Sequence, residues 1–137
     1  MKHCINNAIY GIGMLIIGAT AMCPVSAGAA CADEPGPGVN WTGCDKQGID
    51  LSGKDLSSAV FTRANLDNAD FGGSRLTHAD LNLSSLKNAR FDKARMIGAR
   101  LIGVKAGGAS FSKAVLDDAS LSRSELKSAD FTGARLR

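Results

Sequence analysis

A period of five residues dominates the chain after residue 50. From Leu51 to Leu136 every fifth residue is Leu, Phe or Met except Ala106, and the residue two places earlier is Ala or Ser in fifteen of the eighteen repeats. On an α-helix a step of five residues turns by about 500°, which would spread the large residues around the cylinder. On a flat strand the odd step would send them to alternate sides of the sheet. The pattern therefore predicts a solenoid that turns a corner once per repeat and points the same two positions inward.

A second period, of twenty residues, sets the length of one coil. Four phenylalanines recur at this spacing, namely Phe71, Phe91, Phe111 and Phe131. Four five-residue repeats would then complete one coil, and the four rings would form one core column with a spacing of about 4.8 Å. Chance recurrence of Phe among positions that accept Leu or Phe is the alternative.

The repeats resemble those of the pentapeptide-repeat family. The segments that carry the likeness are Ala64-Asn65-Leu66, Ala69-Asp70-Phe71, Ala79-Asp80-Leu81 and Ala129-Asp130-Phe131, which fit the family signature A-(D/N)-L-x-x. The resemblance covers about residues 44–137 and implies an all-β fold, a right-handed quadrilateral β-helix. With the twenty-residue period this solenoid has four pentapeptides per coil and about four coils. The resemblance implies little about activity, because function resides in surface sites added to a fold.

One repeat departs from the rule. Val104 occupies the small position and Ala106 the large one, and Gly107 and Gly108 follow. Either the two volumes are exchanged with their total conserved, or a β-bulge re-aims Lys105 toward a ligand.

Residues 1–29 have the layout of a secretory signal peptide. An apolar run from Ala8 to Met22 is too short to span a bilayer comfortably, Pro24 ends it, and small residues follow. We expect cleavage near Ala27 to Ala30 and a periplasmic or secreted protein. An uncleaved membrane anchor is the alternative.

Residues 30–48 are expected to form an N-terminal arm and cap, and residues 49–137 the β-helix. Cys31 and Cys44 would remain as an even pair after export, which predicts a disulfide. Alternatively, Cys44 is only a small buried residue, because it is in phase with the Ala positions. Trp41 is in phase with the large positions and is expected to plug the upper end of the tube.

The sequence predicts no catalytic residues, no metal and no cofactor. His78 is the only histidine after residue 29 and takes an outward position. Paired imidazoles for a metal site and a base for a nucleophile are therefore missing from this part of the sequence. Glycine pairs such as Gly72-Gly73 lack the Lys-Ser/Thr of a phosphate-binding loop. A small-molecule substrate is not expected.

Two surface features stand out. Residues 86–105 contain one acid, Asp92, and a candidate anion-binding belt of six basic residues: Lys87, Arg90, Lys93, Arg95, Arg100 and Lys105. The alternative is that cross-coil ion pairs use part of the belt, because a twenty-residue offset places Asp70 over Arg90 and Asp80 over Arg100. A candidate apolar contact is formed by Leu83, Ile97 and Ile102, which stand at outward positions.

Charge constrains the partner. Some members of the family resemble DNA mimics that bind DNA gyrase, and mimicry of a polyanion requires an acidic surface. This chain carries 16 basic and 13 acidic residues, a formal net charge of +3. We therefore expect a non-catalytic exported structural or protein-interaction module that binds a protein or envelope component. A binder of anionic polymers is the alternative, and a gyrase-interacting regulator has less support. The family's end-to-end dimers imply a homodimer through the C-terminal end.

Overall fold

The computed structural model describes residues 30–137, so the predicted signal peptide lies outside the described residues. Ala30 and Cys31 are helical, and from Asn40 onward the chain forms a β-solenoid. Among residues 30–137, sixteen parallel β-bridges each join one residue to the residue twenty positions later, from Asn40↔Val60 to Val115↔Arg135. Within the described residues each repeat contributes one bridge residue and no longer strand. The period of twenty expected from the phenylalanine spacing is therefore the offset of the ladder.

The ladder begins inside the segment that the sequence assigns to the arm and cap. Asn40 and Asp45 are its first two bridge residues. Lys46 stands where later repeats have a large apolar residue, which hides this coil in the sequence. Its ammonium group lies over the Trp41 ring, 4.2 Å from the ring centroid.

A tight turn closes each repeat. The N–H of the small residue donates to the carbonyl of the preceding large residue, as from Ala94 to Phe91 at 3.0 Å. The residue before Ala94, Lys93, has a φ of 59°, and a positive φ at the third residue is characteristic of a type II turn. Every fifth residue from Gly38 to Gly133 has a φ between 55° and 70°, and eleven of these residues are not glycine. The corner thus sets the period of five.

The Asp or Asn of the motif accepts a hydrogen bond from a backbone N–H that the ladder does not use. The ladder uses the N–H groups of Phe71 and Gly73 but not that of Gly72 between them. Asp70 accepts the Gly72 N–H at 2.8 Å. The same contact recurs in other repeats: Asp50 with Ser52, Asp55 with Ser57, Asp80 with Asn82 and Asp130 with Thr132. Such local side-chain contacts favour a turn over a continued strand.

Because of these carboxylates, we expect the stability of the fold to fall in acid. The hydroxyl and then the N–H of the residue two places later lower the pKa of Asp50, Asp55 and Asp130. The ordinary value is about 3.9, and a lower folded-state pKa means that the ionised form stabilises the fold above this pH. That contribution is lost as pH falls through the folded-state values. We expect the melting temperature of a triple Asp→Asn variant to depend less on pH below about 4 than that of the wild type. An equal pH dependence in both proteins would contradict this assignment.

Two residues per repeat fill the interior. The large residues from Leu51 to Leu116 are at most 1% exposed, and the intervening Ala and Ser residues from Ala59 to Ala114 are buried with them. The four phenylalanine rings lie in one stack. Centroid distances are 4.7 Å from Phe71 to Phe91, 4.9 Å from Phe91 to Phe111 and 4.8 Å from Phe111 to Phe131.

The exceptional repeat keeps the register. Val104 and Ala106 are both fully buried, and Lys105 between them bridges Ser85 and Glu125 at the usual offset. A bulge would insert a residue and shift the later pairings, whereas all later bridges keep the offset of twenty. The exchange of volumes is therefore confirmed, and the bulge interpretation is wrong.

The tight interior predicts a penalty for added volume. Ala94 is fully buried next to the phenylalanine stack, so Ala94→Leu is expected to lower the free energy of unfolding by about 1–3 kcal/mol. Arg95→Leu, at the adjacent exposed position, is the control and should change stability much less. Urea denaturation of both variants measures the difference. Equal losses would mean that position 94 does not face the core.

The N-terminal end is covered. Trp41 is 0% exposed, its Nε1–H donates to the carbonyl of Asp33 at 3.2 Å, and its ring lies 5.7 Å from that of Phe61. A disulfide joins Cys31 to Cys44 with a Cα–Cα distance of 5.6 Å, which ties the arm to the first coil. Among residues 30–137, no helix has the length and apolar character needed to cross a bilayer.

Candidate functional site

The basic belt encircles the solenoid and does not form one face. We call bridge residues joined at offsets of twenty a column. The belt residues Arg90, Arg95, Arg100 and Lys105 lie in four different columns, below Asp70, Arg75, Asp80 and Ser85 respectively. All six belt residues are exposed. Their charges point outward on different sides of one coil, so a flat partner would contact only part of the belt.

Two of the six basic residues of the belt form ion pairs. Arg90 lies 3.8 Å from Asp70 and 3.2 Å from Asp92, and Arg100 lies 3.8 Å from Asp80. Both cross-coil pairs expected from the offset of twenty are present. The remaining four belt residues, Lys87, Lys93, Arg95 and Lys105, form no ion pair within 4 Å in the described part of the chain. Exposed pairs of this kind contribute about 0–1 kcal/mol each.

The apolar contact contains one strongly exposed side chain. Leu83 is 53% exposed, whereas Ile97 and Ile102 are half-buried. Leu83 lies over Gly103, where an added Cβ would come within 2.8 Å of Leu83 Cδ2. The patch is therefore centred on a single corner.

The last described coil is open. Its inward residues Leu121, Leu126 and Phe131 are only half-buried, and Leu136 is 55% exposed. One coil earlier, the equivalent N–H groups donate to the next coil, as from Phe111 to the carbonyl of Asp130 at 2.7 Å. Within residues 30–137, the N–H groups of Leu121, Leu126 and Phe131 have no acceptor. Within the described residues, apolar surface and free donors therefore lie together at this edge.

A third feature was missed in the sequence. A surface notch of about 220 Å³ crosses three successive coils and is lined by Gly53, Lys54, Asp55, Gly73, Arg75 and Arg95. Only Arg95 of these residues belongs to the belt. Arg75 and Arg95 are twenty residues apart, and Lys54 stands at a position where most repeats have Ala or Ser. These two signals were available in the sequence.

No group of three or more His, Cys, Asp or Glu in residues 30–137 is placed to hold a metal ion. His78 is exposed at a corner with a φ of 58°, and its ring lies over Gly98.

The model of one protein family, described as pentapeptide repeats (8 copies), matches residues 42–77, 69–105 and 99–137. The chain belongs to the pentapeptide-repeat family. The resemblance drawn from the A-(D/N)-L-x-x segments is thus confirmed. No match was found among curated proteins.

Solved structures of pentapeptide-repeat proteins are similar to this one. HetL, a protein involved in heterocyst differentiation regulation from the cyanobacterium Nostoc sp. strain PCC 7120, is 25% identical with a TM-score of 0.50, over 72% of this chain and 49% of HetL. This chain thus spans about half the length of HetL. A family member from the Arabidopsis thaliana thylakoid lumen is 28% identical, over 83% of this chain and 75% of its own, with a TM-score of 0.41. QnrB1, a plasmid-mediated fluoroquinolone resistance protein, is 16% identical, over 73% and 76%, with a TM-score of 0.31. The likeness to HetL supports the shared fold.

Proposed function

We propose that this pentapeptide-repeat protein is a non-catalytic, exported structural module that presents rigid walls to a protein or envelope component. Its frame is a right-handed, four-sided β-helix with about four coils over residues 49–137, preceded by the coil that begins at Asn40. The observation that carries the proposal is the division of each repeat between side chains that fill the interior and side chains that face solvent. Two residues per repeat fill the interior, and the other three face outward in register with neighbours twenty residues away. A repeating surface of this kind can hold binding side chains in fixed positions without a conformational change.

Export is supported by the covalent cap. Disulfides persist in oxidising compartments, and the Cys31–Cys44 bridge lies just after the predicted cleavage region. Cell fractionation followed by mass spectrometry of the N-terminus tests this. We expect a periplasmic or secreted protein that begins between residues 28 and 31, and accumulation of precursor when Ala27 and Ala29 are both replaced with Leu. Full-length protein in the cytoplasm would contradict export.

The partner can be sought from the outward side chains. A photocrosslinking residue at Leu83, the most exposed side chain of the apolar contact, is expected to give a discrete adduct in whole cells. Ser58, at an exposed corner of an earlier coil, is the matched control and should give none. Absence of adducts at position 83 and at the belt positions 93 and 105 would contradict a binding role for these walls.

A second candidate is binding of an anionic polymer by the belt, favoured by its four cations without ion pairs. Retention on heparin resin should weaken steeply as salt rises. Replacing Lys93 and Arg95 with Glu should abolish retention but leave folding intact, whereas Arg90→Gln with Arg100→Gln should change it less, because these two already pair with Asp70 and Asp80. Unchanged retention of the Glu variant would contradict binding by the belt and leave the belt with a structural role only. The net charge of +3 gives a gyrase-interacting, DNA-mimicking role less support.

Homodimer formation through the C-terminal end is a further proposal. It rests on the half-exposed Leu121, Leu126 and Phe131. Sedimentation velocity should show a dimer that Leu136→Asp disrupts. Leu83→Asp is the control, since Leu83 is about equally exposed but lies on a side wall. A monomer at every concentration, or equal effects of the two variants, would contradict the proposal.

A further inference from the structure

One corner of the solenoid lacks side chains in two successive coils. Gly53 and Gly73 both take the corner position, with φ values of 66° and 65°, and are twenty residues apart. The next corners of the same coils carry larger residues, with Ser58 followed by His78 and Arg63 followed by Leu83. The missing side chains leave the notch of about 220 Å³.

Two arginines are stacked at the rim of this notch. Arg75 and Arg95 are joined by a parallel bridge, so their backbones lie about 4.8 Å apart. Like charges placed directly opposite each other destabilise a sheet. Neither guanidinium has a carboxylate within 4 Å in the described part of the chain. Asp55 is bridged to Arg75 from the preceding coil, so this part of the column sets one carboxylate against two positive charges.

Lys54 adds a third positive charge. It occupies the small position of its repeat, which is Ala or Ser in fifteen of eighteen repeats, yet its side chain is exposed and lines the notch. The one acid of the lining, Asp55, is directed at its own turn, where it accepts the hydroxyl of Ser57 at 2.6 Å and its N–H at 3.1 Å. The lining thus carries a net charge of +2.

We propose that this corner binds one dianionic oxyanion group, of the sulfate or phosphate type, between the guanidinium groups of Arg75 and Arg95 and the ammonium group of Lys54. Arginine forks match the oxygens of such groups, and lysine supplies a further point charge. A volume of about 220 Å³ is smaller than the pockets that enclose whole drug-sized ligands. The site therefore takes a single group, free or carried on a polymer. It goes beyond the structural role proposed above and does not depend on the module's partner.

Titration of isotope-labelled protein with inorganic phosphate, sulfate and acetate, at constant ionic strength, tests the proposal by NMR. We expect saturable shifts of the Gly53, Gly73 and Arg75 amide signals with phosphate and sulfate, and weaker binding of acetate. Arg95→Gln should weaken phosphate binding at least about tenfold, because a charge-assisted contact is lost. Arg100→Gln removes the same charge from the Asp80 pair outside the notch and is the matched control, with affinity unchanged.

Thermal melts give an independent readout. Phosphate should raise the melting temperature of the wild type, since a ligand that binds only the folded state stabilises it. Arg75→Gln relieves the like-charge contact with Arg95 but also removes the charge opposite Asp55, so each variant is compared with its own melt without phosphate. Arg75→Gln should lose the stabilisation by phosphate. Displacement of phosphate by a sulfated oligosaccharide would support the same site with the group on a polymer, and saturable phosphate binding without displacement would support a free anion. Non-saturable shifts spread over the whole belt, or equal effects of Arg95→Gln and Arg100→Gln, would overturn the proposal.

Discussion

Replacing Phe91 with Ala is expected to lower the free energy of unfolding by about 3–5 kcal/mol. Phe91 is fully buried, and its ring stacks between Phe71 and Phe111 at centroid distances of 4.7 and 4.9 Å. The bridges on both sides hold the coils at ladder spacing, so the neighbouring rings cannot collapse into the space that the missing ring leaves. Urea denaturation measures the loss.

Phe131→Ala is the matched control for this prediction. Phe131 belongs to the same stack, 4.8 Å from Phe111, but it lies in the open coil and is only partly buried. Its removal should therefore cost less than removal of Phe91. A loss below about 1 kcal/mol for Phe91→Ala, far under the usual cost of deleting a buried ring, would show that the stack is not a packed core.

Reduction of the Cys31–Cys44 bridge is expected to cost about 2–4 kcal/mol of stability. The bridge closes a sequence separation of 13 residues and ties down the arm whose Asp33 carbonyl accepts the Trp41 Nε1–H. Loss of the link should loosen the arm and expose the indole. The melting temperature and the emission wavelength of Trp41 measure the two effects.

A variant separates the covalent link from simple packing. Cys44 is 2% exposed, so Cys44→Ala removes the bridge but keeps a small side chain in the small position. We expect this variant to melt at the same temperature as the reduced wild type. That result would attribute the lost stability to the disulfide. An unaltered melt of the wild type in reductant, with both thiols titratable before reduction, would remove the disulfide from the structure.

The features that repeat were predictable from the sequence, because each is enforced at every coil. The large residues at period five and the phenylalanines at period twenty define the interior without any tertiary information. The ion pairs of Arg90 with Asp70 and of Arg100 with Asp80 follow from the same offset. The role of the motif's Asp was less visible, since it depends on the leftover N–H of residues such as Gly72.

Features that depend on conformation or on two coils together were not predictable from composition. Lysine, arginine and leucine occur among the eleven non-glycine corner residues, so residue type does not mark the positive φ. The notch was not predicted because its cations come from different coils, with Lys54 and Arg75 twenty-one residues apart. A belt confined to residues 86–105 includes only one of its three cations. Half-burial of Ile97 and Ile102 likewise depends on neighbours one coil away.

Cysteine pairs engineered at different offsets test the ladder most directly. Ser85 and Lys105 form a parallel bridge, which places their Cα atoms within the range that a disulfide spans. We predict that Ser85→Cys combined with Lys105→Cys oxidises to an intramolecular bridge, and that Ser85→Cys combined with Arg100→Cys keeps two titratable thiols. The second pair has an offset of fifteen, which would bring its members together only if three repeats completed a coil. Equal cross-linking of the two pairs, or cross-linking of the second alone, would contradict a solenoid with twenty residues per coil.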